Sequence, residues 1–241
     1  MATPLYQDIT FPDATDRPFF YSNFVMTADG KAVVKTNPPA YWPLGTETDR
    51  ATLYELRAHG DALIHGSTTA LSHKTIDSLA KPEFQARRAA LGKSAVPQYV
   101  VISSHPELEL VQYMQPVSGQ THILATTTEA EVPKELAELT EVVRLGSKLV
   151  DLSLLAQTLL KRGAKHVLVE GGPSIMGSFL AADLIDELFL TLAPKIFGNA
   201  KDATLTIVEG HLFEPEKIKK LELISAKPVE NEVYLHYCIT R

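Results

Sequence analysis

A short apolar strand that runs straight into paired glycines and then a helix constrains this chain more than any other feature. His166 to Val169 is apolar and branched enough for a buried strand; Glu170 follows, and Gly171-Gly172-Pro173-Ser174 opens a helix carrying Ile175, Met176, Phe179 and Leu180. Pro173 suits the first helical position, because its missing N–H would have no intrahelical partner there. A strand, turn and helix of this kind belong to a parallel sheet with helices on its faces. At the carboxyl end of such a strand, glycines let a ligand approach the backbone, and the helix N-terminus offers N–H groups and a partial positive charge to a phosphate. The same glycines also serve a plain turn, where φ > 0 is needed. The segment is neither a P-loop nor a GxGxxG fingerprint: no lysine follows, and the third glycine is missing.

The rest of the chain repeats the theme and then changes. Residues 1–17 carry two prolines and no periodicity, and read as an arm. Phe19 to Thr27 reads as a strand closed by Ala28-Asp29-Gly30, and the proline-punctuated stretch from Thr36 to Thr48, which holds Tyr41 and Trp42, reads as a long loop. A helix capped by Thr48 and leaving through Gly60 leads to the strand Ala62 to His65 and then to Gly66-Ser67-Thr68-Thr69. Further strands are expected at Tyr99 to Ile102, Ile123 to Thr126 and Val142 to Leu145, with an amphipathic helix from Asp151 to Arg162. Segments 185–193 and 232–240 alternate with period two, and 219–225 is a natural partner, with no helix between them. This pattern predicts an α/β fold: a mainly parallel mixed sheet with helices on its faces and antiparallel C-terminal strands at one edge, within a single domain spanning 1–241.

Composition excludes several function classes. With 23 basic and 29 acidic residues among 241, the net charge of −6 argues against a nucleic-acid-binding surface. One cysteine, Cys238, allows neither an internal disulfide nor a cysteine-based zinc site, and fits a reducing cytoplasm. The eight histidines show no HxH or HExxH spacing, so no metal site is expected. The N-terminus lacks a basic start and an apolar h-region, and the most apolar stretch, Phe179 to Pro194, is broken by Asp183, Asp186 and Glu187, so no membrane association is expected.

Three expected strand ends carry small or hydroxyl-bearing residues: Gly171-Gly172, Gly66-Ser67-Thr68-Thr69 and Ser103-Ser104-His105. Placed on the carboxyl edge of one sheet, they describe a crevice for a long phosphate-bearing ligand such as a dinucleotide. Capping a helix is the other use of such hydroxyls.

TADGK at Thr27–Lys31, LRAHGDALIHGSTT at Leu56–Thr69 and HVLVEGGPSIMGSFLAADLIDELFLTLAPKIFG at His166–Gly198 resemble the reductase (C-terminal) domain of bifunctional riboflavin-biosynthesis proteins, from about Arg17 to the end of the chain. The resemblance implies a dihydrofolate-reductase-like fold, NADPH as cofactor and a homodimer. It places the dinucleotide phosphates by Gly66, Thr68 and Thr69 and by Gly171, Gly172, Pro173, Ser174 and Ile175, and the adenosine ribose with its 2′-phosphate by Ser103 and Ser104. It puts Asn23, Thr27, Asp29 and Arg50 on the small-molecule substrate, and Lys31 and Glu170 at the reaction itself. In that chemistry a ribosylamino-pyrimidine phosphate is reduced to the ribitylamino form by hydride delivered to C1′ of the sugar. Lys31 would then act either as proton donor or as holder of the substrate phosphate, and Glu170 would orient the substrate or tune Lys31.

Two departures qualify the resemblance. The family follows its Gly-x-x-Thr element with an aspartate-rich run, whereas this chain has Ser72-His73-Lys74-Thr75. The fused zinc deaminase of the bifunctional proteins needs cysteines that this chain lacks. A reductase of another pteridine, imine or carbonyl substrate, and a non-catalytic NADPH-binding protein, therefore stand as alternatives.

Overall fold

The computed structural model describes residues 5–35, 44–72, 79–114, 119–200 and 203–240. They fall into two compact units. The first holds residues up to Thr10, Phe20–Leu56 and Val169 onward; the second holds Phe11–Phe19 and Arg57–Leu168.

In the first unit, β1 (Phe19–Thr27) runs parallel to β8 (Ile185–Ala193), and β8 pairs antiparallel with β11 (Glu232–Thr240), which pairs antiparallel with β10 (Lys220–Val229). The antiparallel C-terminal hairpin is thus as the alternation predicts. β11 keeps that alternation in its burial, while β8, paired on both sides, is buried continuously from Leu188 to Leu190 and loses it. The core here is aromatic: Phe20 meets Phe179 edge-on, Tyr6 meets Phe189 edge-on, and His236 stacks on Phe189 with ring centres 4.1 Å apart. On the same hairpin Cys238 is half-buried, and burial together with Glu187, Glu222 and Asp186 pushes its thiol pKa up. A two-residue ribbon joins β2 (Val33–Val34) to β9 (Thr204–Leu205).

The second unit contains the parallel strands β3 (Ala62–Gly66), β4 (Gln98–Ile102), β5 (His122–Thr126) and β6 (Glu141–Arg144), in that order. β3 and β5 are buried at every position, which requires cover on both faces and explains their mostly apolar sequences; their histidines are bonded, His65 to the Tyr99 hydroxyl and His122 to Met114 O and Gln120 Oε1. Strand β7 (His166–Gly171) contributes its first three residues to this unit and its last three to the other.

Helix α1 (Glu47–His59) starts one residue before Thr48, and the cap is Thr46, whose hydroxyl accepts the N–H of Thr48. Thr46 takes this role because Glu232 fixes it from β11, with Glu232 Oε1 accepting its N–H at 2.9 Å and Oε2 its hydroxyl at 2.6 Å. α2 (Ser67–Ser72) follows β3 directly, and α3 (Pro82–Ala90) and α4 (Lys134–Leu139) are helices that the hydrophobic pattern does not reveal. α3 buries only Phe84 and Arg88, so half of its inner face reads as polar. α5 (Leu152–Lys161) is capped by Asp151, whose side chain accepts the N–H groups of Ser153 and Leu154, and α6 (Pro173–Ala181) begins at the predicted proline.

Arg88 is fully buried, yet each nitrogen of its guanidinium donates a hydrogen bond. Its guanidinium reaches the carbonyls of Ala58 and Gly60 at 3.2 and 2.5 Å, and its Nε donates to Ser94 O at 2.7 Å. It therefore satisfies the carbonyl end of α1, where orphan acceptors and the negative pole of the helix coincide. Replacing Arg88 by methionine keeps an unbranched apolar stem and strands those carbonyls; the expected loss is about 3 kcal/mol, checked by the urea midpoint of unfolding.

Candidate dinucleotide and substrate site

In the first unit, β1 ends in a tight turn built from predicted residues. Gly30, at φ +78°, donates its N–H to Thr27 O, and the N–H of Lys31 reaches Thr27 Oγ1 at 2.9 Å. The Thr27 hydroxyl donates to Asp29, whose carboxylate also accepts the N–H groups of Phe197 at 3.2 Å and Gly198 at 2.8 Å. These bonds, that of Thr27 first, hold the Asp29 carboxyl below its usual range. Thr27, Asp29 and Lys31 are thus brought together, with Asp29 tying the end of β1 to the stretch after β8. Lys31 is half-buried, and no carboxylate among the described residues pairs with it. Asn23 is half-buried on β1, opposite Phe189, while Arg50 lies exposed on α1.

The carboxyl end of β7 lies in the same unit, linked to β1 by the Ser22 hydroxyl donating to Val169 O at 2.6 Å. Glu170 is half-buried there. Gly171 turns at φ +54°, and a Cβ on it would stand 3.4 Å from Phe24 Cζ and 3.7 Å from the N atom of Met176. Gly172 then occupies the N-cap of α6 with no side chain to cap it; Pro173 has no N–H, and the first helical bond runs from Met176 N to Gly172 O. The N–H groups of Ser174 and Ile175 therefore receive no capping side chain from Gly172, with Ser174 exposed and Ile175 half-buried. A cradle that a Cβ would narrow, opening on an uncapped helix start, fits the pyrophosphate of a nicotinamide dinucleotide.

In the second unit, register places the other predicted strand ends side by side. Gly66 pairs with Ile102, so Thr68 and Thr69 on α2 neighbour Ser103 and Ser104 beyond β4. Thr68 is exposed, Thr69 and Ser104 are half-buried, and Ser103 is buried with its N–H on Ala125 O. His73, Lys74 and Thr75 of the divergent segment, and Tyr41 and Trp42, lie outside the described residues.

Sequence reasoning missed a buried acid pair beside Arg50. Glu232, at 2% exposure, accepts hydrogen bonds from the N–H and hydroxyl of Thr46 and from the Tyr234 hydroxyl. Asp49, at 8% exposure, has an Oδ1 without a partner among the described residues, and burial, with the Glu232 charge adding to it, pushes its pKa up to about 6. The available signal is Glu232 itself, a charged residue on the inward register of an alternating strand.

Comparison with known proteins then decides the lineage. The model of the RibD C-terminal domain matches residues 18–235. The chain belongs to the RibD C-terminal domain family. It is 27% identical over 210 residues to the 2,5-diamino-6-ribosylamino-4(3H)-pyrimidinone 5′-phosphate reductase of Archaeoglobus fulgidus, covering 86% of this chain and 94% of that one. It is also 27% identical over 226 residues to the protein of the same name from Methanothermobacter thermautotrophicus, covering 92% and 99%. Among solved structures, a pyrimidine reductase-like protein from Corynebacterium diphtheriae superposes with a TM-score of 0.73 at 20% identity over 94% of this chain and 93% of that one, which establishes a shared fold. The family match runs through both units of the chain.

Two measurements test this geometry. Gly171→Ala forces an L side chain into the left-handed region and into contact with Phe24, at an expected cost of about 1–2 kcal/mol, read from a lowered thermal unfolding midpoint. For Asp49, the folded state binds the proton more tightly than the unfolded chain, so the stability this group contributes is present below about pH 4 and lost as pH rises to about 6. Asp49→Asn removes that dependence, and at pH 7 the variant is expected to unfold at higher urea than the parent, with the gap closing below pH 5.

Proposed function

We propose that this chain is an NADPH-dependent reductase acting on a 2,5-diamino-6-ribosylamino-4(3H)-pyrimidinone 5′-phosphate or its 5-amino-uracil counterpart, within riboflavin formation. The observation that carries the reading is the Gly171-Gly172 turn into the uncapped start of α6, in a chain that the family model spans almost throughout. The names of the two archaeal relatives, which align over nearly their whole length, support the substrate class.

On this reading the α6 start, with Gly171, Gly172, Pro173, Ser174 and Ile175, receives phosphate oxygens through backbone N–H groups. Gly66, Thr68 and Thr69 take the same role in the second unit, and Ser103 and Ser104 meet the adenosine ribose and its 2′-phosphate. NADPH, when bound, supplies hydride chemistry. Reduction at C1′ of the opened sugar converts C=N to C–N, and the nitrogen that receives the displaced electron pair needs a proton. Lys31, half-buried on a turn fixed by Thr27 and Asp29, presents an ammonium to supply it. Glu170 orients the polar edge of the substrate, Asn23 and Arg50 bind substrate, and Asp29 works through the turn it ties to Phe197 and Gly198.

Two copies acting in the cytoplasm complete the reading. Exposed Leu221, Leu223 and Ile224 on β10 offer apolar area for self-association, and no helix among the described residues is long and apolar enough to cross a membrane.

NADPH fluorescence titrated with protein, with NADH as control, tests the cofactor, and oxidation of NADPH by the ribosylamino-pyrimidinone phosphate tests the substrate. Lys31→Ala is expected to lower kcat by roughly a hundredfold while leaving NADPH affinity within about twofold. Parental kcat in that variant removes Lys31 from proton transfer, and no NADPH binding by the parent removes the reductase reading.

A further inference from the structure

The arm ahead of β1 is built into the first unit more firmly than its unpatterned sequence suggests. Tyr6 is buried, and a turn over 6–9 carries Ile9 N onto Tyr6 O. Glu55 of α1, itself 4% exposed, accepts two consecutive backbone N–H groups, from Leu5 at 3.0 Å and from Tyr6 at 2.7 Å. From the other side Lys227 of β10 donates to Leu5 O at 2.6 Å and lies 5.0 Å from the centre of the Tyr6 ring. The peptide unit between Leu5 and Tyr6 is therefore gripped at both ends, its N–H by a buried carboxylate and its C=O by an ammonium. The Tyr6 ring stands edge-on to Phe189 of β8 at 4.9 Å and to His236 of β11 at 6.2 Å, and His236 is fixed in turn by Glu187 at 2.8 Å. The family model begins at residue 18, so this contact is made by residues ahead of the matched domain.

What the arm holds is the helix that borders the substrate turn. Along β1, Tyr21, Asn23, Val25 and Thr27 alternate onto one face of the sheet, a face that Phe189 shares through its pairing with Asn23. Helix α1 lies on the same face. Leu56 O, in its last turn, accepts the Tyr21 hydroxyl at 2.8 Å, and Thr46, just before its start, is held by Glu232. Glu232 stands one step beyond the Val233–Leu192 pair, level with Ala193, and Ala193 pairs with Thr27. The helix thus runs back along β1 from the level of the Thr27 turn, with Arg50 on its first turn. Glu232 fastens its beginning, and the arm fastens its later part through Glu55. A carboxylate this deeply buried depends on the donors around it, so the seat of α1 and the docking of the arm are energetically tied.

We propose that Tyr6 and Glu55 are positioning residues: the docked arm seats α1 on the sheet and so keeps Arg50 in place beside the Thr27–Lys31 turn for binding the phosphorylated substrate. The inference rests on the reading of Arg50 as a substrate residue given above and adds the element that places it. None of the contacts of Leu5 and Tyr6 involves the start of α6 or Lys31. The arm therefore acts on substrate affinity and leaves dinucleotide affinity and the proton donor alone.

The test compares the whole chain with Tyr6→Ala, Tyr6→Phe and Glu55→Gln by two independent readouts. One is amide hydrogen exchange over residues 5–10 and 47–56; the other is steady-state oxidation of NADPH by the ribosylamino-pyrimidinone phosphate, with NADPH affinity measured separately. For Tyr6→Ala, exchange is expected to quicken in both segments and KM for the phosphate substrate to rise roughly tenfold, with kcat and NADPH affinity within about twofold of the parent. Tyr6→Phe keeps the ring that packs on Phe189 and His236 and is expected to restore parental values, and Glu55→Gln to shift KM in the same direction by less. Faster exchange of the arm with unchanged exchange in α1, or with parental KM, makes the arm a cover only and overturns the proposal. A joint fall of kcat, substrate affinity and NADPH affinity, with a lowered unfolding midpoint, assigns it to general stability and overturns it too. If the parent binds NADPH but does not turn over this substrate, the substrate reading fails and this inference with it, whatever the exchange shows. Turnover by the parent with the variants unchanged leaves the reductase reading standing and removes the arm alone.

Discussion

Parallel pairing, of β1 with β8 in one unit and of β3 through β6 in the other, delivers the carboxyl ends of neighbouring strands to a common edge within each unit. A strand leaving such an edge carries N–H and C=O groups that its neighbours no longer satisfy. The loops here supply the partners locally: Thr27 and Asp29 collect the donors around one turn, Thr126 and Gly146 accept those around another, and the β7 end leaves the N–H groups of Ser174 and Ile175 without a capping side chain.

Polar groups inside the units follow the opposite rule. Arg88 is buried and donates from each of its guanidinium nitrogens, and Glu232 holds three donors, so one fastens the end of α1 and the other its beginning. Asp49 is the exception. Its unpartnered oxygen beside a fixed carboxylate favours the neutral acid over the ion, and the packing is close enough that a Cβ on Gly45 would fall 2.0 Å from its Oδ2.

How much of this could be read from residues alone depended on what each element buries. The strands β3, β4, β5 and β7 are legible because each has a buried, mostly apolar centre, and the start of α6 because a proline after two glycines suits the first helical position. Helix α3 was illegible because its inward residue is an arginine, and the cap of α1 was misplaced from Thr46 to Thr48 because the deciding partner, Glu232, stands 186 residues away. The candidate site divided in the same manner. Strand-end glycines and hydroxyls advertise themselves by position, whereas the buried pair of Asp49 and Glu232 shows itself only once β11 is set against the start of α1. Asp29 reads as a substrate residue in the motif and proves to spend its described hydrogen bonds on the chain's own turns.

Cys238, half-buried on β11, has a consequence for how the molecule can be watched. It is the chain's one cysteine, and burial first, then nearby carboxylates, push its thiol pKa up. A cysteine introduced on an exposed loop would ionise far more readily and react first with maleimide or iodoacetamide reagents. Fluorophores or spin labels can therefore be attached at chosen sites in the native background, and ligand-linked motion followed without first removing a structural residue from the sheet.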